Sequence, residues 1–202
     1  MGLSDRYRRA LAAIDAANAD DPSSLAVGGV RRPKELAHAE LASSWIERLA
    51  PGASEALRLA ARAHHVRRWE IPRSDFPAGR AGYHRWRDAL HEHHARIAGE
   101  ILRRAGYDAG EISRVQDLVC KRGLGRDPEV QVLEDALCLV FLETQLAEFS
   151  LRTEEAKLVG VLRRTLRKMS PGARAHAEAL PLGPRERALL ARAAGESGAA
   201  SH

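Results

Sequence analysis

The sequence predicts an all-α fold, a single compact bundle of about seven to nine helices. Three observations predict it. Apolar residues recur at helical spacing through most of the 202 residues. Gly and Pro fall between these periodic segments and not inside them, and no segment shows the alternation of a half-buried strand. Hydrophobic residues make up 45% and charged residues 29%, with aromatics only 4%, so the core must be built from Leu, Ala, Val and Ile. Residues 1–194 read as one domain and 195–202 as a disordered tail.

Each element follows from its own signals. The first helix is predicted from about Ser4 to Asn18, with Tyr7, Leu11, Ile14 and Ala17 on one face. Asp20-Asp21-Pro22 ends it, and Ser23 to Arg32 reads as a loop. Pro33 suits the first turn of a second helix that continues to Leu49, where Pro51-Gly52 breaks the pattern. A third helix starts near Ala53 and carries Leu57, Ala60, Ala61 and His64 on one side. Arg68 to Arg80 holds Pro72 and Pro77 and reads as a long loop, a place where function concentrates. The fourth helix runs from about Tyr83 to Ala105, stopped by Gly106. The fifth covers Glu111 to Lys121, before Gly123 and Gly125. The sixth spans Glu129 to about Phe149, and the seventh Glu154 to Met169, closed by Ser170-Pro171-Gly172. One or two short helices follow Ala173.

Composition limits the function classes. Formal net charge is +5, and only Lys34, Lys121, Lys157 and Lys168 among the 32 basic residues are lysines. Arginine forks suit phosphorylated ligands or RNA, although Arg and Ala richness together also read as a compositional bias that decorates solvated helix faces. No apolar run reaches membrane-spanning length. The polar start, Met1 to Ala10, predicts no secretory leader. Cys120 and Cys138 form no CxxC pair and read as reduced thiols of a cytoplasmic protein.

The segment VQVLEDALCLVFL, Val130 to Leu142, is apolar on nearly every side, so it should be buried all round. Glu134 and Asp135 lie in its middle. A buried carboxylate demands a partner: a metal ion, an arginine, or the backbone of a loop that it caps. Eight of the nine histidines lie between His38 and His176, and four form the doublets His64-His65 and His93-His94. Neutral imidazole beside a carboxylate suits a divalent Zn, Fe, Mn, Co or Ni ion. No HExxH-type motif is present. The loop RRWEIPRSDFPAGR places Arg68, Trp69 and Arg73 where arginine forks and an aromatic platform would receive a phosphorylated or nucleotide-like ligand. Lys121 and Lys168 are further candidates for such contacts. Lys168-Met169-Ser170 is similar to part of a class I aminoacyl-tRNA synthetase loop, but no companion motif or parallel α/β pattern accompanies it.

The order of these pieces resembles the HD-domain superfamily, all-helical and typically metal-dependent phosphohydrolases. The matching pieces are a single His, a doublet ending an Ala-rich helix, and a later apolar helix with an acid. His38 precedes the His64-His65 doublet by 26 residues, and Asp135 follows it by 70. The resemblance implies a metal shell of His38, His64, His65 and Asp135. His65 stands where that family carries Asp, so the shell would hold less negative charge. The segment starting at His93 is similar to the family's accessory His and small-residue helix. At a finer level the chain resembles the domain-of-unknown-function 4202 family. The matching blocks are AIDAANADDP, HHVRRWEIPR, GYHRWR, LEDALCLVFLE and RKMSPG, and the likeness extends from Tyr7 to Ala179.

These readings lead to one expectation and two alternatives. The expectation is a metal-dependent phosphohydrolase acting on a phosphate ester or nucleotide. Glu134 or His94 would transfer protons, and Arg68 and Arg73 would neutralise phosphate charge. The alternatives are a non-catalytic module that binds RNA or an acidic partner, and iron-dependent oxygen chemistry. Base rates alone allow a homodimer, and the sequence does not fix the oligomeric state.

Overall fold

Serine and aspartate side chains cap the starts of three helices in the first half. The computed structural model describes residues 4–198. Helix α1 (Asp5–Ala19) starts where the Ser4 side chain accepts the Tyr7 N–H. A short antiparallel hairpin follows, β1 (Ser24–Val27) and β2 (Val30–Pro33), with Val27 paired to Val30. This corrects the loop expected over Ser23 to Arg32. Gly28 and Gly29 both take positive φ, +57° and +81°, the backbone of a two-residue hairpin turn. The four-residue strands are too short to set a period in the sequence.

Helix α2 (Lys34–Leu49) leaves the hairpin directly. Helix α3 (Glu55–Ala63) starts at Ser54, whose side chain accepts the Leu57 N–H. The segment expected as a plain loop holds two 3-10 turns, Arg68–Glu70 and Arg73–Asp75. Helix α4 (Gly79–Ala105) starts four residues earlier than its periodicity predicts. There the chain doubles back so closely that a Cβ on Gly82 would meet the Pro77 carbonyl oxygen at 1.9 Å. Gly106 ends α4 in the left-handed conformation. Asp108 and Glu111 form a reciprocal capping box on α5 (Ala109–Val119).

The chain forms two units, one ending at Leu133 and the other beginning at Glu134. In the first unit, α3 packs on α2 and α5, and α4 packs on α5 and α1. Small residues permit these close approaches: Ala60, Ala61, Ala63 and Ala98 are fully buried beside Leu57, Leu59 and Leu102. Full burial of each leucine contributes about 1.5–3 kcal/mol.

Helix α6 (Pro128–Thr144) carries the segment predicted to be buried all round, and Glu134 and Asp135 are each only 3% exposed. The expected single helix to Phe149 instead breaks at Gln145, and α7 (Leu146–Arg152) follows. In the second unit α8 (Glu155–Lys168) packs against α10 (Pro184–Gly198). Helix α9 (Pro171–Glu178) is started by the Ser170 side chain and by Pro171 in its first turn. Residues 195–198 of the expected tail are the end of α10, and 199–202 lie outside the described residues. No helix among the described residues is long and apolar enough to cross a membrane.

Candidate metal centre

Three side chains in the first unit bring ligand atoms within 4.8 Å of one another: Glu35, His38 and His65. Glu35, in the first turn of α2, and His38, three residues on, share a face. Asp21 sets that turn. Its carboxylate accepts the Glu35 N–H at 2.9 Å and the Ser23 N–H at 2.8 Å. Pro33 supplies no side-chain cap, so Asp21, on the far side of the hairpin, does the capping.

His65 arrives from the other direction. Helix α3 ends at Ala63, His64 keeps helical backbone angles, and Arg67 turns left-handed at φ 51°. An arginine in that conformation is strained by about 1–2 kcal/mol. Both of its backbone groups are held: the N–H donates to Asn18 Oδ1 at 3.2 Å, and the carbonyl faces His93 Nε2 at 3.2 Å. This bend places His65 Nδ1 3.0 Å from Glu35 Oε2, while His38 Nδ1 lies 3.4 Å from the same oxygen.

The electrostatics prepare these groups as ligands. Burial pushes the His65 imidazole down to about 3, against the pull of Glu35. The Glu35 carboxyl lies well below its usual range: burial opposes this, and the facing His65 and His38 overcome it. Metal binding requires an ionised carboxylate beside a neutral imidazole, and both shifts run in that direction. Ligand atoms on one tetrahedral cation lie roughly 3.3 Å apart at ordinary metal–ligand bond lengths, and the two distances to Glu35 Oε2 match that spacing. Glu35 is buried, whereas 32% of the His65 side chain is exposed, so the cluster is open on one side. A cation fits the donor set.

Arg68 stands beside this opening. Its Nε lies 3.9 Å from Glu35 Oε1, and its guanidinium lies over the Trp86 ring at 4.9 Å. The Trp86 indole is fixed by donating to the Ile71 carbonyl at 2.9 Å. Behind the cluster the other histidines stack closely. The His64 and His65 rings are 4.1 Å apart, and His65 and His94 are 5.7 Å apart. His94 is 1% exposed and pushed down to about 3 by burial, against its hydrogen bond to a backbone carbonyl. Its Nδ1 lies 2.8 Å from the Val66 carbonyl, which fixes the tautomer and leaves the Nε2 lone pair buried without a hydrogen-bond partner.

The remaining predicted residues have other surroundings. His64 is not one of the three clustered ligands: its Nδ1 bonds the Ala61 carbonyl at 2.8 Å, and burial holds it well below the usual histidine range. Glu134 has Lys168 Nζ at 3.4 Å and receives the Cys138 thiol. Asp135 accepts the Ser170 N–H at 2.8 Å, at the start of α9. Of the partners considered for this acidic pair, loop capping is realised by Asp135, whereas Glu134 meets a lysine, which was not among them. Arg73 donates to the Phe76 and Pro77 carbonyls at 2.7 and 2.9 Å, which holds its guanidinium inside its own loop. Trp69 is half-buried in the first 3-10 turn, and Lys121 adopts a left-handed backbone after α5. Glu35 and Asp21 are the residues that sequence reasoning missed. The signal for Glu35 was the i, i+3 pair with His38 at a helix start; Asp21 left none.

The protein is all-α, with two histidines and one carboxylate grouped so that they could hold a metal ion. The model of the family described as Domain of unknown function (DUF4202) matches residues 8–190, and the chain belongs to that family. No curated protein and no solved structure matches it.

Proposed function

We propose that this protein is a metal-dependent hydrolase of phosphate esters, with the cation held by Glu35, His38 and His65. The observation that carries the reading is the single oxygen of an ionised, buried carboxylate faced by two imidazoles, on a cluster open along His65. Two histidines and a glutamate with one open position are a ligand set of hydrolytic zinc enzymes. The cation would supply a water of lowered pKa and Lewis acidity near neutral pH.

The chain's own residues do the rest. Arg68, held on Trp86 beside the cluster, binds and neutralises the phosphoryl oxygens. His94 lies behind His65, and burial disfavours its protonated form, so the proton released as water attacks phosphorus goes to the leaving group. A bond forms between that water oxygen and phosphorus, the ester P–O bond breaks, and the proton passes to the departing alkoxide. A second reading, iron-dependent oxygen chemistry, is favoured by the donor set alone, which is also that of the two-histidine, one-carboxylate iron oxygenases.

The test is elemental analysis of untagged protein, purified without chelator, for the parent chain and the variants His65→Ala and Asp135→Ala. Phosphate release from aryl and nucleoside phosphates is measured on the same samples. Near-stoichiometric metal that His65→Ala loses and Asp135→Ala keeps, with phosphate release, is the expected result. Metal retained by His65→Ala, or loaded protein that releases no phosphate, would overturn the proposal. Iron as the bound metal with no phosphate release would favour the second reading.

A further inference from the structure

The second unit carries a cavity of about 450 Å³, within the range of small-molecule sites. Its apolar wall comes from Leu166 of α8, Leu182 of the connection before α10, and Leu190 of α10; Leu166 and Leu190 are 6% and 5% exposed. Three arginines, Arg167, Arg174 and Arg187, border that wall. The charges there are unbalanced. Other arginines of this unit meet carboxylates, Arg152 with Glu148 and Arg192 with Glu155. None of the three cavity arginines has an ion pair among the described residues. Arg174 spends its Nε on the Met169 carbonyl and Arg187 one Nη on the Leu182 carbonyl, which orients both forks and leaves their other N–H groups open. Glu178 is the single acid in the lining.

We infer that this cavity binds a small amphiphilic phosphate monoester, its apolar tail against Leu166, Leu182 and Leu190 and its phosphate among Arg167, Arg174 and Arg187. Three cations against one carboxylate leave two charges for the head group to neutralise, which matches a phosphate dianion better than a carboxylate. Leucine walls require the rest of the ligand to be apolar. The site belongs wholly to the second unit and is independent of the proposed metal centre.

The experiment is isothermal titration of the full-length protein with octyl phosphate below its micellar concentration. Parallel titrations use octanoate, octanol and inorganic phosphate. Octyl phosphate is expected to bind at least about tenfold more tightly than the other three. Arg167→Gln, at an exposed helix end, should weaken it about tenfold, and Glu178→Gln should strengthen it several-fold. Ala194→Trp, which narrows the cavity from α10, should abolish binding, with circular dichroism confirming the fold. Octanol binding as tightly as octyl phosphate would overturn the anion assignment. Inorganic phosphate binding equally would overturn the apolar one. Arg167→Gln and Ala194→Trp proteins that fold and bind octyl phosphate unchanged would overturn the site.

Discussion

Replacing Glu35 by Gln removes one charge from the cluster while preserving volume, and the size of its effect follows from the geometry. In the parent protein a divalent cation at a hundred times its dissociation constant stabilises the fold by about 2.7 kcal/mol. For a chain of this length each kcal/mol moves the melting temperature by about 2–4 °C, so metal should raise it by about 5–11 °C. Glu35 is the only anionic donor of the three, and its Oε2 is the atom both imidazoles face. Its loss should weaken binding about a hundredfold or more, at the upper end for disturbed metal sites. At the same cation concentration the increment then falls to about 0.4 kcal/mol, or roughly 1 °C. Calorimetry of metal-stripped protein, with and without zinc or manganese, measures the difference. His84→Ala, an exposed histidine outside the cluster, should keep the full rise. An equal rise in Glu35→Gln, or none in the parent protein, would refute the argument.

Three further outcomes follow from the fold. Asp21→Ala removes the acceptor for the Ser23 and Glu35 N–H groups; it should cost about 1–2 kcal/mol in urea unfolding and weaken metal binding although every ligand is intact. Gly82→Ala drives a Cβ into the Pro77 backbone and should cost about 1–3 kcal/mol, whereas Gly172→Ala, with nothing within 4 Å, should leave the urea midpoint almost unchanged. Arg114→Ala removes the guanidinium that bonds Asp127 and Glu129. For Asp127 that bond is the main cause of a lowered pKa; for Glu129, burial opposes the shift and the Ser54 and Arg114 bonds outweigh it. Carboxyls held low in the folded state stabilise it above their unfolded pKa of about 4 and lose that contribution as pH falls through the folded values. Arg114→Ala should therefore melt lower at pH 7, and the difference should close in acid; a difference that grows on acidification would contradict the ion pairs.

Local chemistry determined most of the helices. Ser4, Ser54 and Asp108 start helices through their own side chains and Gly106 stops one, and such signals act within a few residues. The hairpin was also written locally, in Gly28-Gly29 between two valines, but its strands are too short to set a period. The break at Gln145 left no Gly or Pro to mark it. His38 and His65 stood out as ligand types, and the buried acids of α6 announced a need for partners. The sequence alone did not reveal which partners each would find. Asp135 meets a backbone N–H 35 residues later, and Glu134 meets Lys168. Glu35 reads locally as an ordinary first-turn acid, favoured there by the helix dipole. It becomes the centre of a cluster that could hold a metal ion only because α3 ends in a bend that returns His65 across 30 residues to the same oxygen His38 faces. Periodicity and capping energies depend on neighbours in the chain, whereas a ligand set depends on where separate elements end in space.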